Sequence, residues 1–476
     1  MPSYKFGTDG WRAVIAEDYT FDAVRALSQA TADYLLRHGL GSRPLVIGYD
    51  TRFLSGSFAG AAAEVLAAND IPVALSSAPC PTPAVSHALI ERGAAGGIVI
   101  TASHNPARWN GFKLKSSEGR TANEAMTAEI EQAVAGVIAG ERVRRMPLGE
   151  AEAKGLVDRF DPRASYIAAL RGQVDIEAIR DAGLNVIVDS MYGAAAGYTA
   201  EAIGEGATHI QELHGTRNPS FPGMRAPEPI AVNLGEMLGL LQGGGYDIGV
   251  ATDGDGDRLG VATESGTFVT QLQAFALLVR YMLEIRGDRG PIVRSITTTR
   301  MVERLGERYG CAVHETPVGF KYLGEKMVEV DAMIAGEESG GYAFHGHIPE
   351  RDGILSGLML LDYVVKTGKR PAELLADLYA EIGPHEYDRV DVTLKADERE
   401  EIQRRVAEAN PTTIAGIPVE GRDTIDGFRF LMEGGWWLLL RFSGTEPLLR
   451  IYAEMPSMDQ VHEALQLGQE MAGTTL

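Results

Sequence analysis

Residues 44–77 read PLVIGYDTRFLSGSFAGAAAEVLAANDIPVALSS, and this stretch decides the fold of the N-terminal part of the chain. An apolar segment at residues 44–50 is followed by an alanine-rich segment of helical character and by a second apolar segment at residues 71–77. Two buried strands joined by a helix require a crossover connection, and therefore a largely parallel sheet. The stretch predicts an α/β domain.

The alternation of apolar strands and helical segments continues to residue 102 and restarts twice, near residues 184 and 273. Each restart predicts a further α/β unit of roughly 100–150 residues. From about residue 385 the pattern changes to paired strands with single helices, which is typical of a small α+β domain. The expected domains are residues 1–155, 156–269, 270–383 and 384–476.

The composition is that of a globular protein, with 45% hydrophobic and 23% charged residues among 476. The net charge of −21 disfavours nucleic acid and anionic membranes as partners. Cys80 and Cys311 form neither a disulfide framework nor a zinc ligand set. No secretory signal and no apolar run of about 18 residues is found. We therefore expect a cytoplasmic enzyme, with positive charge concentrated locally if its substrate is a phosphate.

A predicted buried strand ends in the polar sequence TASHNP, residues 101–106. Ligands bind at the carboxyl ends of strands in open α/β sheets, so Ser103 lies where a site is expected. Lys113 follows on a segment that returns toward the same end. The chain contains no G-x-S-x-G sequence, which argues against a serine hydrolase. A simple polar turn is the alternative.

Three aspartates, Asp253, Asp255 and Asp257, alternate with glycine after another predicted strand. Their carboxylates can point at one hard cation such as Mg²⁺, and they would repel one another without it. A calcium-binding EF-hand loop is disfavoured, because Arg258 occupies its glycine position although Glu264 stands at position 12. A phosphatase D-x-D-x-T motif lacks its threonine. A solvated acidic turn remains an alternative.

Two further loops carry polar residues that suit sugar phosphates. Residues 336–341 read GEESGG, in which Glu337 and Ser339 suit the recognition of hydroxyl groups, with a polar turn as the alternative. Residues 441–447 read RFSGTEP, in which arginine, hydroxyls and a glycine-opened backbone suit a phosphate, with a surface strand as the alternative. The candidate phosphate ligands are Arg441, Ser443, Gly444, Thr445 and Arg450.

As a set, the four loops resemble the motifs of the α-D-phosphohexomutase family, which includes phosphoglucomutases and phosphomannomutases. The resemblance extends from residues 6–12, FGTDGWR, to residues 441–446, nearly the whole chain. It implies three α/β domains with mixed sheets around a central cleft and a smaller C-terminal α+β domain. It also implies Mg²⁺ as cofactor, sugar phosphates as substrates and a hexose 1,6-bisphosphate as intermediate and activator, in a monomer or dimer.

The resemblance assigns roles to the candidate residues. Ser103 would carry a phosphoryl group, and the three aspartates would hold Mg²⁺, which also contacts the phosphoserine. Glu337 and Ser339 would bind sugar hydroxyls, the loop at residues 441–445 the non-reacting phosphate, and Lys321 the sugar or a phosphate. Lys113, in a positively charged cluster, is expected to have a lowered pKa and to act as general acid or base. The expected catalytic residues are Ser103, His104, Lys113, Arg12 and Arg258.

The sugar loop bears on the substrate. Members of the family that are specific for glucose resemble G-E-E-S-x-G here, whereas mannose and glucosamine enzymes carry a histidine where this chain has Gly341. Glu338 and Gly341 therefore favour a phosphoglucomutase that interconverts glucose 1-phosphate and glucose 6-phosphate, and His345 or His347 could replace the histidine contact. The alternatives are a phosphomannomutase, a phosphoglucosamine mutase, a metal-dependent sugar-phosphate phosphatase and a calcium-dependent binding module.

Overall fold

The structure is a computed structural model that describes residues 4–139, 143–395, 398–443 and 447–474. Within these ranges the chain forms four sheets that follow one another along the sequence. The first three sheets are interleaved with helices, and the fourth belongs to a smaller α+β unit. The predicted fold class is confirmed. In the described part of the chain, no helix has the length and apolar character needed to cross a membrane.

The first unit is a mixed sheet with helices. Its elements are β1 (Trp11–Val14), α1 (Phe21–Arg37), β2 (Leu45–Tyr49), α2 (Ser55–Ala68), β3 (Val73–Ser76), α3 (Thr82–Glu91), β4 (Gly96–Ile100), β5 (Trp109–Ser116), α4 (Glu124–Ala139), α5 (Leu148–Ala153) and β6 (Val157–Phe160). The strand order is β1-β5-β4-β2-β3-β6. Strands β2, β3, β4 and β6 run parallel, whereas β5 is antiparallel to β4 and β1. The crossovers predicted for residues 44–102 are therefore present.

The last strand of this sheet bears on the first domain boundary. Strand β6 pairs in parallel with β3, with Val73 opposite Val157. A boundary after residue 155 would assign β6 to the second unit. Helix α5 packs on α2 and returns the chain to the edge of the first sheet. A boundary after Phe160 therefore fits the sheet better than the expected one.

The second unit is also a mixed sheet. Its elements are α6 (Arg163–Arg171), α7 (Ile176–Asp181), β7 (Asn185–Asp189), α8 (Tyr198–Ile203), β8 (His209–Leu213), a 3-10 turn (Ala231–Asn233), α9 (Gly235–Gln242), β9 (Ile248–Thr252), β10 (Leu259–Thr263) and β11 (Phe268–Val269). The strand order is β11-β10-β9-β7-β8. Strands β9 and β10 form an antiparallel pair. The aspartate-rich loop lies between these two strands.

The third unit has a smaller mixed sheet in the order β13-β12-β14-β15. Its elements are α10 (Gln271–Glu284), β12 (Ile292–Ser295), α11 (Met301–Tyr309), β13 (Val313–Thr316), α12 (Phe320–Glu329), β14 (Ile334–Gly336), β15 (Tyr342–Phe344), α13 (Gly353–Thr367) and α14 (Pro371–Ile382). Helix α10 begins at a capping box in which Thr270 and Gln273 bond reciprocally to each other's backbone.

The fourth unit is antiparallel throughout. Its elements are β16 (Glu386–Thr393), α15 (Arg399–Glu408), β17 (Thr413–Ile414), β18 (Ile417–Asp423), β19 (Phe428–Met432), a 3-10 turn (Glu433–Gly435), β20 (Trp437–Phe442), β21 (Leu448–Met455) and α16 (Met458–Ala472). The strand order is β16-β21-β20-β19-β18-β17. The α+β character predicted for this region is confirmed, and two of the predicted phosphate ligands, Arg441 and Arg450, lie on β20 and β21.

Helix α13 joins the second and third units. It is almost entirely buried and packs against β9 and β10 of the second sheet, so that one apolar core spans both units. Asp352 caps its start by accepting a hydrogen bond from the Leu355 amide at 2.9 Å. The Gly353 amide donates to the Gly256 carbonyl at 3.1 Å. The N-terminus of a buried helix therefore lies against the aspartate-rich loop.

Candidate active site

Ser103 lies in the loop after β4, at the carboxyl end of that strand. The residue is fully buried, and its backbone is in the left-handed region with φ +50°. Such a conformation costs a residue other than glycine on the order of 1–3 kcal/mol and is typical of functional sites. The hydroxyl donates a hydrogen bond to Asp253 Oδ2 at 2.8 Å and lies 3.2 Å from His104 Nδ1. The serine is thus held against a carboxylate of the second unit.

Arg52 holds the serine loop from behind. This arginine is fully buried and lies 3.1 Å from the carboxylate of Asp50. Its guanidinium donates hydrogen bonds of 2.6–3.1 Å to backbone carbonyls of the loop. The accepting carbonyls belong to Ser103, Asn105, Pro106 and Trp109. One side chain therefore fixes the backbone that carries the serine, which accounts for the strained conformation being maintained.

The three aspartates predicted to hold a metal ion converge in the structure. Asp253, Asp255 and Asp257 are fully buried, and one oxygen of each lies within 4.8 Å of the others. Gly254 brings their loop against the serine loop, since a Cβ at this position would lie 2.5 Å from the Ser103 carbonyl oxygen. Glycine is therefore required for the two loops to meet.

The donor set fits a hard divalent cation. Oδ1 of Asp255 and Oδ1 of Asp257 are buried, and neither has a hydrogen-bond partner among the described residues. Burial and the charges of the two neighbouring aspartates raise the pKa of Asp253. Unpartnered buried carboxylate oxygens are costly, and a cation such as Mg²⁺ would satisfy them. The three aspartates would hold it, and it would neutralise charge on a phosphate.

The aspartate loop is not an EF-hand. An EF-hand places its loop between two helices, whereas this loop joins β9 and β10, which pair in antiparallel register with Thr252 opposite Leu259. The helix–loop–helix alternative is therefore wrong.

Lys113 enters the site, but its electrostatic environment differs from the expected one. Its buried Nζ lies 2.6 Å from Asp9, 2.7 Å from Asp255 and 3.1 Å from Asp257. Burial alone would lower the pKa of Lys113, but the three carboxylates outweigh burial and raise the pKa above its ordinary value. The expectation of a lowered pKa was wrong, because carboxylates rather than cations surround the ammonium group.

The other expected catalytic residues lie around the serine. Arg12 Nη1 donates to Asn105 Oδ1 in the serine loop at 2.6 Å. The Arg258 amide donates to Asp253 Oδ1 at 3.2 Å. Burial, followed by the charges of Arg258 and Arg12, lowers the pKa of His104 well below its ordinary value. The imidazole beside the serine hydroxyl is therefore neutral at physiological pH.

The loop at residues 336–341, which is predicted to bind the sugar, is a tight turn that one arginine links to the aspartate loop. The Glu337 amide donates to the Gly341 carbonyl at 3.1 Å. Ser339 Oγ and Arg351 Nη1 donate to the same oxygen, Glu337 Oε1, at 2.6 and 3.0 Å. Arg351 Nη2 lies 2.9 Å from the Asp257 carboxylate. The two loops, 80 residues apart from Asp257 to Glu337, are thus joined through a single side chain.

Glu338, the other acidic residue of this loop, faces the fourth unit. Its Oε1 accepts hydrogen bonds from Tyr387 at 2.9 Å and from Arg389 at 3.0 Å, both on β16. The carboxylate therefore connects the third and fourth units. Its identity says less about the sugar than the sequence analysis assumed.

Lys321 and the two nearby histidines are paired with carboxylates. Lys321, at the start of α12, donates to Glu124 at the start of α4 at 2.8 Å, across the boundary between the third and first units. The exposed His345 lies 3.1 Å from Asp331, and the buried His347 lies 2.8 Å from Asp352. In the described parts of the chain, no hydrogen bond or ion pair joins either histidine to Glu337 or Ser339, and both imidazoles are held by carboxylates outside the loop at residues 336–341.

The phosphate loop is attached to the third unit through Asp426. Oδ2 of Asp426 accepts a hydrogen bond from Arg441 Nε at 2.9 Å and another from the Val318 amide at 3.1 Å. The Ser443 carbonyl accepts from Arg399 at 2.9 Å, and Arg450 lies opposite Arg441 in the β20–β21 pair. Gly444 and Thr445 fall outside the described residues.

Several buried charged residues of the site were missed by the sequence analysis. They have no motif of their own, and several reach the site through partners far along the chain, as Arg351 does with Asp9, 342 residues away. One signal was present, since Glu350, Arg351 and Asp352 form a run of charges between a strand and a buried helix. The missed residues are Asp9, Asp50, Arg52, Lys115, Glu350 and Arg351.

Comparison with known protein families gives matches along most of the chain. The matching family models are described as Phosphoglucomutase/phosphomannomutase, alpha/beta/alpha domain I at residues 3–139, domain II at residues 164–266, domain III at residues 272–382 and C-terminal domain at residues 401–466. Their order is that of the four sheets.

Individual proteins are similar over nearly their full lengths. A phosphoglucomutase/phosphomannomutase of Thermococcus kodakarensis is 31% identical over 97% of this chain and 97% of its own. A probable phosphoglucosamine mutase of Methanothermobacter thermautotrophicus is 31% identical over 94% and 93%. The crystal structure of a putative phosphomannomutase from Thermus thermophilus is 35% identical, covers 99% of both chains and has a TM-score of 0.85. The relatives thus differ in the sugar they are named for.

Proposed function

The chain belongs to the phosphoglucomutase/phosphomannomutase family, and from this premise we propose that it interconverts glucose 1-phosphate and glucose 6-phosphate. The reaction proceeds through phospho-Ser103 and a hexose 1,6-bisphosphate, which also serves as activator. Mg²⁺ is the cofactor. The proposal includes a cytoplasmic location and a monomeric or dimeric state.

One observation carries this proposal: the buried Ser103 hydroxyl donates to Asp253 beside two unpartnered aspartate oxygens. A hydroxyl in this position can carry a phosphoryl group, because a cation and fixed hydrogen-bond donors can neutralise the negative charge of that group. The guanidinium groups of Arg12 and Arg258 supply further positive charge. Transfer of a phosphoryl group depends mainly on such placement and neutralisation.

The residues around the serine divide the remaining work. In the first step the bond between phosphorus and Ser103 Oγ breaks as phosphorus bonds to O6 of glucose 1-phosphate, and the proton of the O6 hydroxyl passes to Oγ. In the second step, after the bisphosphate has reoriented, Ser103 Oγ takes the phosphoryl group from O1, and the serine proton passes to O1. In this structure the single hydroxyl proton of Ser103 is donated to Asp253, and His104 Nδ1, 3.2 Å from Oγ, is placed to relay the proton between Oγ and the sugar oxygen when the Asp253 carboxylate holds the cation. Lys113, with its raised pKa, holds the carboxylates in place as a permanent cation.

The sugar is recognised at the loop of Glu337 and Ser339, and the non-reacting phosphate at Arg441, Ser443, Gly444, Thr445 and Arg450, with Lys321 as a further contact. Lys321 must leave Glu124 to do so, and the Glu124 carboxylate, whose side chain is 63% exposed, remains solvated without the lysine. Gly341 favours glucose. A phosphomannomutase is the second candidate, because Glu338 faces the fourth unit and no longer supports the choice of sugar.

Coupled assays with glucose 1-phosphate, mannose 1-phosphate and glucosamine 1-phosphate, each primed with a trace of the corresponding bisphosphate, test the proposal. The highest kcat/KM is expected for glucose 1-phosphate. A higher value for another sugar would reassign the substrate and leave the mechanism. Free phosphate released in step with substrate loss would instead indicate a phosphatase.

A further inference from the structure

Arg351 is the buried cation at which three segments of the site meet. Its guanidinium lies 2.6 Å from Asp9, 2.9 Å from Asp257 and 3.0 Å from Glu337. The residue is buried, and the three carboxylates come from the first, second and third units. The planar, multiply donating arginine side chain can satisfy several carboxylates at once, which a lysine ammonium does less well. Arg351 therefore links the aspartate loop to the sugar loop directly.

The link fixes the carboxylate of Glu337. Both donors that the structure records on this side chain, Ser339 Oγ and Arg351 Nη1, bind Oε1. For the described part of the chain no hydrogen bond is recorded on Oε2. The orientation of the carboxylate is therefore set from one side, and the second oxygen is left for hydroxyl groups of a sugar.

A side chain at residue 341 would clash with the side chain of Arg351. A Cβ at residue 341 would lie 2.6 Å from Arg351 Cγ and closer still to its Cδ. Gly341 does not have a positive φ, so its backbone does not itself require glycine. The neighbouring Gly340 differs, because its φ is +89° and its nearest atoms belong to Leu259 and Gln271. Space for Arg351 is the reason for glycine at residue 341.

We propose that Arg351 is a positioning residue that orients Glu337 for sugar binding and ties it to Asp257, and that Gly341 is the residue that makes room for it. A histidine side chain cannot stand at residue 341 in this chain, and the arginine occupies its space. The pair of residues 341 and 351 is thus a determinant of sugar recognition. This inference rests on the proposed function, in which Glu337 binds a hexose phosphate.

Arg351→Lys tests the positioning role. Lysine keeps the positive charge among the carboxylates. Its single ammonium group cannot reproduce the planar arrangement in which two guanidinium nitrogens donate separately to Glu337 and Asp257. We expect the variant to fold and its KM for glucose 1-phosphate to rise by about 10-fold to 100-fold, the value of a hydrogen bond to a charged group. The dissociation constant of glucose 1-phosphate, measured by calorimetry in a Ser103→Ala background, should rise by the same factor. Full rescue by lysine would contradict the proposal.

Arg294→Lys is the matched control. Arg294 is equally buried in the third unit and is paired with Glu303, with Nε at 2.6 Å from its carboxylate. The control should lower thermal stability and leave the KM for glucose 1-phosphate unchanged. An equal rise in KM in both variants would mean that the loss of any buried arginine in this unit disturbs the site. That result would contradict a specific role of Arg351.

A double-mutant cycle tests the steric part without reference to catalysis. Gly341→Ala should lower Tm strongly in the wild-type chain and only slightly with Arg351→Ala, because the clash is then relieved. Gly340→Ala should lower Tm equally in both backgrounds. If Arg351→Ala does not fold, Gly341→Ala alone should raise the dissociation constant of glucose 1-phosphate as Arg351→Lys does.

The results separate this inference from the proposed function. Additive losses of Tm, or an unchanged dissociation constant in Gly341→Ala, would overturn the role of Arg351 while the wild-type enzyme turns over normally. A wild-type protein that neither binds nor converts any hexose phosphate would overturn the proposed function, and the cycle would still report whether Arg351 and Gly341 compete for space.

Discussion

Buried carboxylates in two regions of this protein differ in how many of their oxygens accept hydrogen bonds. At the junction of the third and fourth units, Glu454 is fully buried, and each of its oxygens accepts two hydrogen bonds. The donors are Thr299, His385, the Arg300 amide and Trp437. In the candidate active site, Asp255 and Asp257 each keep one buried oxygen without a partner in the described residues.

The difference shows what each group does. A buried carboxylate with every oxygen bonded is a structural element, since removing it leaves several donors unsatisfied. Single buried carboxylate oxygens without a hydrogen-bond partner also occur at Asp189, Glu303, Asp362 and Glu381. Among the described residues, only the aspartate loop combines two such oxygens with three carboxylates that converge within 4.8 Å, which is typical of a ligand site. Substitutions in the first group should therefore lower stability and spare activity, whereas those in the second should abolish activity and spare the fold.

The largest effect is expected from Ser103→Ala. It removes the hydroxyl that donates to Asp253, and mutase turnover should fall at least about 10³-fold, as for other residues that act covalently. Circular dichroism and Tm should stay close to those of the wild type. Turnover within a few fold of the wild-type value would remove this serine from the mechanism.

Glu454→Gln should show the opposite behaviour. The amide group introduces a donor where the structure provides only donors, so we expect a loss of about 3 kcal/mol in the free energy of unfolding. The kcat of the folded enzyme should remain near the wild-type value. Urea denaturation measures the free energy of unfolding, and steady-state kinetics measures kcat. Unchanged stability with lost activity would contradict the structural role of Glu454.

Mg²⁺ should stabilise the folded protein through Asp255 and Asp257, whose oxygens lack partners, and not through Glu454. Mg²⁺ at about 100 times its dissociation constant should add about 2.7 kcal/mol to stability if it binds the native state alone. Asp255→Asn should abolish this gain in Tm, and removal of metal with EDTA should abolish turnover. Glu454→Gln serves as control and should keep the gain, so an equal response in all three proteins would place the ion elsewhere.

The smallest effect concerns acid stability at the same junction. Burial raises the pKa of Glu315, but hydrogen bonds from Arg429 and the charge of Arg294 outweigh it and lower the pKa to about 2. A carboxyl whose pKa is lower in the folded state stabilises at neutral pH and loses this contribution as the pH falls through about 4.5 toward 2. Roughly 2 kcal/mol should be lost between pH 7 and pH 3.

Glu315→Gln checks this origin. The variant should be less stable at pH 7 and should lack this part of the acid-induced loss, as measured by denaturation at several pH values. A wild-type slope that survives in Glu315→Gln would assign the acid sensitivity to other carboxyl groups.

Local pattern was sufficient for the fold and for the loops. The strand and helix between residues 44 and 68, the serine at a strand end and the alternating aspartates are all defined within short windows of sequence, and the structure has them in the expected elements. Arg52 could not be predicted in this way. It supports the serine loop by binding four backbone carbonyls more than 50 residues away, and no local pattern reveals such contacts.

Electrostatics could not be read from the sequence for the same reason. The pKa of Lys113 depends on Asp9, 104 residues before it, and on Asp255 and Asp257, more than 140 residues after it. The expected lowering of the pKa rested on the positive charges of Arg12 and Arg258, because no pattern in the sequence indicates which carboxylates contact the lysine. The folded chain brings three carboxylates to it, and the direction of the pKa shift is reversed.

Phosphorylation of Ser103 is the most direct test of the account. The protein is incubated with glucose 1,6-bisphosphate and Mg²⁺, digested and mapped by mass spectrometry, with Ser103→Ala as control. We expect one phosphoryl group on the peptide that contains Ser103, none in the control, and its loss when excess glucose 1-phosphate is added. Catalytically competent protein that carries no phosphoryl group at this residue under any of these conditions would contradict it.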